Sequence, residues 1–459
     1  MLLSCNSSAS GTIQLITGEE TDTFTQTPVP TNITVYVEQD GGAPTQLATA
    51  PYPTDTIDLG NQDQDAVASL SVEATDSSGN ELIYGASVPL QYGALDGETL
   101  PIFVQRVGQN ARLSNFPTGD TRQAATLQVL SDRFLIISGG SESATSLTTE
   151  IYDFAQFNLL TPAPTMPIVP GSMAVISTIG MVIDMAGDGW YYDFSGSTSN
   201  TRFTAPTDPN NNFTLADVAG GQAIYDPDDG YVLIVGATRT TGTATQAVLV
   251  INTNDTSNST YETGNLSWVS LADARLGASA TWAPYYGLIV AGGNPTALGV
   301  EMIDLNPIAP VGSELSYPPD PSTGAGMTAL DESGDILIAG GLLPSGMDAG
   351  VREIKLGCSG TCVPTSWGPN NGALPVAVTS AFTFTLSPAY AFLVGSEPST
   401  TQTPGLTHTF TLTSAGATEV PTKVAHTNAS ACLSPVGSVI FYGGANGEIE
   451  SFTPAPPAP

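Results

Sequence analysis

The stretch DRFLIISGG, residues 132–140, is an unbroken apolar run that ends at two glycines. The same pattern returns as GLIVAGG at 287–293, DILIAGG at 335–341 and SVIFYGG at 438–444, with single-glycine copies ending at 187, 236 and 395. The last glycines of the seven copies are Gly140, Gly187, Gly236, Gly293, Gly341, Gly395 and Gly444. Their intervals run from 47 to 57 residues. The chain therefore repeats a unit of about 50 residues, which is the period of propeller blades.

Each repeat unit is predicted to contain four short β-strands. A strand of small residues, as at 124–127, is joined by a hairpin turn to the apolar run, and a third and an irregular fourth strand follow. Because the apolar run lacks alternation, we expect the second strand to be covered on both faces by neighbouring sheets. We expect glycine where the chain leaves that strand in a conformation, or at a close approach, that a side chain would prevent.

These repeats resemble the kelch family of β-propellers. The glycines that carry the resemblance are Gly139, Gly140, Gly187, Gly236, Gly292, Gly293, Gly340, Gly341, Gly395, Gly443 and Gly444. Trp268 and Trp367 match the family's tryptophan near the fourth strand, and Arg122 and Arg275 match its arginine before the first strand. The resemblance implies an all-β, seven-bladed kelch-type propeller over residues 104–453. A segment at about 109–116 would supply the strand missing from blade 7, and a proline-rich tail (454–459) would follow.

Residues 11–103 lack the repeat and are predicted to form a separate small domain. Six or seven short strands with clear alternation, as in ITVYV at 33–37, are separated by turn signals such as DSSGN at 76–80. This pattern is typical of a small β-sandwich, immunoglobulin-like or fibronectin-like in broad form.

The first ten residues, MLLSCNSSAS, predict a membrane anchor. The LLSC sequence that ends at Cys5 resembles a bacterial lipobox, in which the cysteine is lipidated, and the polar residues after it suit a flexible tether. We therefore expect a lipoprotein of the bacterial cell envelope, at the outer membrane or cell surface. The whole architecture resembles kelch-containing envelope lipoproteins of predatory and social bacteria. Secretion, with Cys5 an ordinary cysteine, is the alternative.

Composition narrows the range of partners. The chain of 459 residues carries a formal net charge of −33 with only 10 Lys and Arg residues. We therefore expect no basic surface that binds nucleic acid or anionic lipid. Contact with a membrane is expected only through the lipid anchor. A hydrophobic content of 41% argues for folded domains despite the high charge.

The cysteines after the anchor predict one disulfide. Cys358 and Cys362, in GCSGTC, are close enough to close a small loop, and a metal-binding pair is the alternative. Cys432 is predicted to be a buried free thiol.

Candidate chemistry is sparse. Asp226, Asp228 and Asp229 in DPDDG are weak candidates for Ca²⁺, but the same residue types are favoured in a hairpin turn. His408 and His426 are the only histidines, and they offer a weak case for a copper site like that of galactose oxidase. No phosphate loop, nucleophile elbow or zinc-protease motif occurs. No catalytic residue and no cofactor other than Ca²⁺ is predicted.

The leading functional hypothesis is a non-enzymatic binding or scaffold protein. Its partner, a protein or a glycan, would meet loops at one propeller face, with 238–247 in blade 3 and 397–405 in blade 6 as the loops of interest. The alternatives are a secreted carbohydrate-active enzyme of oxidase or epimerase type and a passive structural spacer of the envelope.

Overall fold

The computed structural model describes residues 8–39, 42–140, 149–160, 170–176, 179–193, 201–208, 210–253, 265–305, 311–331, 333–400 and 403–455. Cys5, its lipobox and the last residues of the proline-rich tail lie outside these ranges. The described residues form an all-β protein. The helical elements described in full are short 3₁₀ turns, at Tyr92–Leu95, Leu215–Asp217, Gly236–Thr238 and Asn370–Gly372. Within the same ranges, no helix has the length and apolar character needed to span a membrane.

The N-terminal part contains nine strands, more than the six or seven predicted: β1 (Ser8–Ile16), β2 (Asn32–Gln39), β3 (Thr45–Pro51), β4 (Thr56–Asp63), β5 (Val67–Thr75), β6 (Glu81–Ala86), β7 (Leu90–Gln91), β8 (Thr99–Phe103) and β9 (Gln105–Arg106). One sheet has the order β4-β1-β8, in which β1 and β8 are parallel. The other has the order β3-β2-β5-β6-β9, with β7 also paired to β5. One apolar cluster joins residues of both sheets, including Ile13, Val35 and Leu70, so the two sheets form a sandwich.

The sandwich extends beyond the boundary predicted at residue 103. β9 pairs with β6, so the sheet gains one more edge strand after residue 103. The Arg106 guanidinium then donates to the carbonyls of Thr23 (2.7 Å), Gln26 (2.6 Å) and Pro28 (2.9 Å). Alternation alone could not predict this two-residue strand, because a pairing this short leaves no pattern in the sequence.

The rest of the chain contains twenty-eight strands within the described ranges. The first fourteen are β10 (Asn110–Arg112), β11 (Thr126–Leu130), β12 (Phe134–Ser138), β13 (Glu150–Asp153), β14 (Asn158–Leu159), β15 (Pro170–Ile176), β16 (Ile179–Asp184), β17 (Gly189–Asp193), β18 (Thr201–Phe203), β19 (Gln222–Asp226), β20 (Tyr231–Val235), β21 (Thr245–Asn252), β22 (Leu266–Arg275) and β23 (Ser279–Ala283). The remainder are β24 (Gly287–Ala291), β25 (Val300–Asp304), β26 (Val311–Leu315), β27 (Gly326–Ala329), β28 (Asp335–Ala339), β29 (Val351–Lys355), β30 (Thr365–Ser366), β31 (Thr379–Ser387), β32 (Tyr390–Ser396), β33 (Thr407–Thr413), β34 (Gly416–Glu419), β35 (Ser430–Leu433), β36 (Val439–Tyr442) and β37 (Ile449–Phe452).

These strands form four-stranded antiparallel sheets that resemble propeller blades. Sheets 1 to 6 are consecutive meanders: β11–β14, β15–β18, β19–β22, β23–β26, β27–β30 and β31–β34. Sheet 7 has the order β10-β37-β36-β35. The first strands of successive sheets contact one another from β11 to β35, and β35 contacts β11, so the sheets follow one another around a closed ring.

Alternate residues of each second strand face opposite neighbours. In β24, Leu288 and Val290 join the apolar cluster shared with sheet 3, whereas Ile289 and Ala291 join the cluster shared with sheet 5. All five residues of β24 are buried, and the other second strands are buried almost as completely. Because both faces are apolar, the strand loses its alternation. Its predicted burial between two neighbouring sheets is confirmed.

The repeat glycines lie where these second strands end. Gly293 has φ +73°, and a Cβ there would lie 2.8 Å from the backbone nitrogen of Ala278. Gly236 has an ordinary φ, but a Cβ would lie 2.2 Å from the Asp217 carbonyl oxygen. Both reasons expected from the sequence, unusual conformation and close approach, therefore occur. The other predicted glycines occupy corresponding positions after or at the end of a second strand: Gly139, Gly140, Gly187, Gly292, Gly340, Gly341, Gly395, Gly443 and Gly444.

The ends of the ring are joined by β10, which lies within the segment 109–116. β10 pairs antiparallel with β37, and Ala111 is opposite Ser451. The side-chain amide nitrogen of Asn110 donates to the Thr409 hydroxyl (2.9 Å) and to the Pro421 carbonyl (3.1 Å). Thr409 lies on β33 of sheet 6, and Pro421 follows β34 of the same sheet. A segment preceding sheet 1 thus completes the sheet at the C-terminal end of the ring.

Candidate functional site

The ring presents two faces that differ in their loops. The doublet face is the end at which second strands finish, marked by Gly292–Gly293 and its counterparts, and it carries the connections from second to third strands. The hairpin face is the opposite end, where hairpins join first to second strands, as at 226–231 and 283–287. The loops singled out from the sequence, 238–247 and 397–405, both belong to the doublet face.

The loop of sheet 3 is pinned at its base by Arg239. Its guanidinium donates to the carbonyls of Ala216 (2.9 Å) and Thr243 (2.5 Å), and its own carbonyl accepts from Gly277 (2.6 Å). Among the described residues, no carboxylate lies within ion-pair distance of Arg239. Residues 240–244 are exposed, and β21 begins at Thr245, so the predicted loop 238–247 ends in strand.

The loop of sheet 6 is held at both ends. His408 Nδ1 lies 2.8 Å from Glu419 Oε1, and His408 Nε2 lies 3.1 Å from Glu397 Oε1. The hydroxyl of Ser399 donates to Asn428 Oδ1 (3.0 Å) and accepts from the backbone of Gly405 (3.0 Å). Both loops therefore have anchored bases, and their exposed residues extend from rigid sheets.

Several buried charged side chains on the doublet face connect parts of one sheet, and we call this arrangement the sheet clasp. In sheet 4, Arg275 Nε donates to Glu301 Oε1 (2.7 Å) and Arg275 Nη1 donates to the Gly292 carbonyl (2.9 Å). Glu301 Oε2 also accepts from the backbone of Ala272 (2.6 Å). Arg275 and Glu301 are almost completely buried. The clasp ties the incoming loop, the doublet and the third strand of one sheet together.

The same geometry recurs in sheet 7 with a histidine. His426 Nδ1 donates to the Gly443 carbonyl (3.1 Å), and His426 Nε2 lies 3.0 Å from Glu450 Oε1. Glu450 accepts from the backbone of Lys423, three residues before His426, as Glu301 accepts from Ala272. His426 is therefore a counterpart of Arg275.

Neither histidine is arranged as a copper ligand. Both ring nitrogens of His408 contact carboxylates, and both ring nitrogens of His426 have partners in the clasp. A metal would have to displace these contacts, so the described geometry offers no ring nitrogen to copper.

Other sheets vary the clasp. In sheet 5 its polarity is reversed, since Arg352 on the third strand donates to Asp320 (2.8 Å) and Ser322 (2.6 Å) on the incoming loop. The equivalent pairs in sheets 3 and 6 are apolar and fully buried: Val218 with Leu249, and Val378 with Phe410. In sheet 1, Arg122 donates to Asp120 (2.6 Å), with Glu150 4.0 Å away. Because ion pairs in some sheets and apolar pairs in others occupy this position, we infer that the clasp serves the packing of each sheet.

The calcium candidates do not converge. Asp226 is fully buried, and its Oδ1 accepts from the backbone of Asp228 (2.9 Å) and of Asp229 (3.1 Å), which is the geometry of a turn. Asp184 caps the backbone of Ala186 in the same way (2.9 Å). The carboxylates that do lie within 4.8 Å of one another among the described residues are Asp273, Glu301 and Glu314. Arg275 pairs with Glu301 (2.7 Å), and its charge also acts on Glu314, so the group adjoins the sheet clasp of sheet 4.

The predicted disulfide is present. Cys358 and Cys362 are bonded and close a small loop after β29. Cys432 is free, as predicted, and it is half-buried on the first strand of sheet 7, where the sequence predicted a buried thiol. First strands border the middle of the ring, so one face of such a strand keeps partial exposure. Burial raises the pKa of the Cys432 thiol to about 12 and keeps it in the unreactive protonated form.

Two groups of exposed residues were missed by sequence reasoning. On the doublet face, four apolar side chains stand on connections between second and third strands: Met185 (59% exposed), Leu298 (36%), Met347 (62%) and Leu406 (40%). On the hairpin face, Tyr225 is 59% exposed and Tyr285 is 80% exposed. A single apolar residue in a loop carries no periodicity, and only the three-dimensional arrangement shows that these residues share a face.

No protein-family model matches the chain, and no curated protein matches it. Among solved structures, a quinoprotein alcohol dehydrogenase-like protein from Bacteroides thetaiotaomicron is similar, with TM-score 0.41 and 11% identity over 89% of this chain and 93% of that one. YCF48 bound to D1 peptide is similar with TM-score 0.44 and 10% identity over 76% and 96% of the two chains. A chain of the Mitotic Checkpoint Complex reaches TM-score 0.44 and 11% identity over 75% and 92%. Likeness this remote assigns no function to the chain.

Proposed function

We propose that this protein is a non-enzymatic binding scaffold whose doublet face receives a protein or glycan partner. In the proposal the ring is a seven-bladed kelch-type propeller, carried on an immunoglobulin-like or fibronectin-like sandwich. The observation that carries it is the set of exposed side chains Met185, Leu298, Met347 and Leu406 on one face. Apolar residues on loops with anchored bases form a rigid interaction surface, and methionine adapts its shape to a partner.

The chemistry of the same face supports binding over catalysis. The buried pairs Arg275 with Glu301 and His426 with Glu450 on this face are engaged in sheet clasps. A general acid or base must reach the substrate, and these groups are buried behind the loops. The proposal therefore assigns the face to contact with a partner.

A capture experiment with matched variants tests this proposal. The full chain is immobilised, incubated with envelope extract and compared with Met185→Ser, Met347→Ser and Leu433→Ser variants by quantitative mass spectrometry. Leu433 is the matched control, because it is 43% exposed but lies at the end of β35 towards the hairpin face. We expect a partner that both methionine variants lose and the Leu433 variant retains. Turnover of an oligosaccharide without any such partner would contradict the proposal.

The membrane anchor is a separate part of the proposal and rests on the sequence around Cys5. If Cys5 is lipidated, a bacterial host expressing the protein with its export signal will incorporate a clickable palmitate into it, and Cys5→Ser will abolish the label. Equal labelling of both forms, or none of either, would remove the lipoprotein assignment.

A further inference from the structure

A second surface, on the hairpin face, combines exposed aromatic rings with carboxylates. We call it the hairpin patch and define it as Tyr225, Asp226, Asp228, Trp282 and Tyr285, from the adjoining sheets 3 and 4. Trp282 Nε1 donates to Asp228 Oδ2 across the junction of the two sheets (3.4 Å). Tyr225 and Tyr285 are the most exposed aromatic side chains of the described chain. Exposed aromatic rings on adjoining sheets indicate a contact surface.

Tyr285 is held outward by an unfavourable backbone conformation. Its φ is +65°, a region that bulky residues rarely adopt. The hairpins of sheets 3, 5 and 7 have glycine at positive φ, at Gly230, Gly334 and Gly437, whereas the hairpin of sheet 4 has both Gly287 (φ +94°) and Tyr285 there. Glycine would relieve the same strain in sheet 4, so the tyrosine ring is retained against the local preference of the backbone.

Asp226 adds a buried carboxyl group with one unpaired oxygen to the same hairpin. Its side chain is fully buried, and Oδ1 accepts from the backbone of Asp228 and Asp229. Oδ2 has no hydrogen-bond partner among the described residues. Burial raises the pKa of Asp226, and the neighbouring aspartates raise it further. A buried carboxylate oxygen without a donor is costly, so Asp226, like Tyr285, is retained in this hairpin against a local energetic cost.

The surroundings favour a positively charged partner. The turn segments 226–230 and 283–287 of sheets 3 and 4 contain no Lys or Arg. Lys355, beside the turn of sheet 5, is engaged by Asp335 (2.9 Å) and Glu353 (2.9 Å). The whole chain has 10 basic residues against 43 acidic ones. Aromatic rings attract Lys and Arg side chains through cation–π contacts, and the carboxylates add charge complementarity.

From these contacts we propose that the hairpin patch docks a lysine- or arginine-rich segment of a partner protein. The cationic side chains lie over Tyr225, Trp282 and Tyr285, and the exposed Asp228 carboxylate supplies the complementary charge. This site lies on the face opposite the loops of the proposed scaffold function. The two proposals therefore fail independently.

A labelled octalysine peptide is the probe for this site. Its binding to the full chain is followed by fluorescence anisotropy at low and at physiological salt, with octaglutamate as the reference peptide. We expect saturable binding of octalysine that weakens as salt rises. Tyr285→Gly and Asp228→Asn should each weaken it by about two- to five-fold, the size of one exposed cation–π or charge contact.

Two controls separate the site from general attraction to an acidic protein. Asp65→Asn removes the same charge from an exposed turn of the sandwich and should leave binding unchanged. Tyr285→Gly should not lower the melting temperature, because glycine accepts the positive φ, so reduced binding would not reflect unfolding. Equal loss in the Asp65 and Asp228 variants would overturn the proposal. Binding of a neutral hexasaccharide without binding of octalysine would also overturn it, in favour of a glycan site.

Discussion

At the scale of single residues, several carboxyl groups of the described chain lie in surroundings that disfavour their ionised form. Glu81 on β6 is half-buried beside Glu73 on β5. Burial, together with the charge of Glu73, raises the pKa of Glu81 to about 7 from its ordinary value of 4.5. The folded state therefore binds this proton more tightly than the unfolded state. Its contribution to stability is complete below pH 4.5 and is lost as the pH rises through about 7.

Replacement of Glu81 by glutamine tests this linkage. Between pH 4.5 and 7, the urea midpoint of the wild type should fall more steeply than that of Glu81→Gln, because the amide has no proton to lose. Glu98→Gln is the matched control, since Glu98 is exposed on the same sandwich. A Glu98 variant that flattens the profile as much as the Glu81 variant would contradict the assignment.

A second residue-scale prediction concerns the disulfide. Cys358 and Cys362 are four residues apart, so their bond closes a very short loop. Loop-closure entropy assigns such a bond about 2 kcal/mol. The Cys358→Ser, Cys362→Ser double variant should therefore lose about 2 kcal/mol of unfolding free energy in urea titrations. Treatment of the wild type with reductant should reproduce that loss and leave the double variant unchanged. A reductant effect on the double variant would instead implicate another thiol.

At the scale of elements, the sheet clasp shows how one position in a repeat can be filled in different ways. Sheet 4 uses the buried ion pair of Arg275 and Glu301, whereas sheets 3 and 6 place apolar pairs at the same position. A buried charge left without its partner is costly, but apolar residues of similar volume can replace a complete pair. The chain thus contains natural apolar versions of its own ion pair.

A double-mutant cycle tests this equivalence. Arg275→Val and Glu301→Leu, each alone, should lower the unfolding free energy by about 3–5 kcal/mol, because each leaves one buried charge unpaired. The combined variant copies the Val218 and Leu249 pair of sheet 3 and should lose less than the sum of the two single variants. Urea unfolding measures all three. Strict additivity would mean that the two side chains do not act as a pair.

At the scale of the whole molecule, the ring depends on one short strand. β10 comes from the segment before sheet 1, yet it pairs with β37 at the other end of the chain. The backbone of Leu113 donates to the Ile449 carbonyl (2.9 Å) at the next position of this pairing. Contacts that close a ring join distant parts of the sequence, so their loss affects sheets 1 and 7 together.

Proline at Ala111 should open this closure. Proline has no N–H for the pairing with Ser451, so we expect Ala111→Pro to cost about 3 kcal/mol or more. Ala111→Gly keeps the N–H and should cost only about 1 kcal/mol. Urea unfolding with limited proteolysis would compare the two variants. Similar stabilities would show that β10 is dispensable for the ring.

Much of the element pattern was predictable because it is local. The apolar runs, the doublet glycines and the disulfide all lie within a few neighbouring residues, and each is where the sequence places it. The equivalence of His426 with Arg275 was not predictable, because it appears only when Gly443 and Glu450 come together in space. The exposed aromatic residues Tyr225 and Tyr285 were likewise hidden in ordinary strand and turn sequences.

The sequence by itself determined the all-β character, the seven repeats and the burial of the second strands, because these follow from apolar runs and glycines repeated along the chain. Tertiary structure alone decided which side chains share a face, since Met185 and Met347 come from different sheets and no periodic sequence pattern relates them. It also decided that DPDDG forms a turn whose Asp226 keeps one oxygen open. Local patterns encode elements, whereas surfaces arise from the packing of elements that are distant in the sequence.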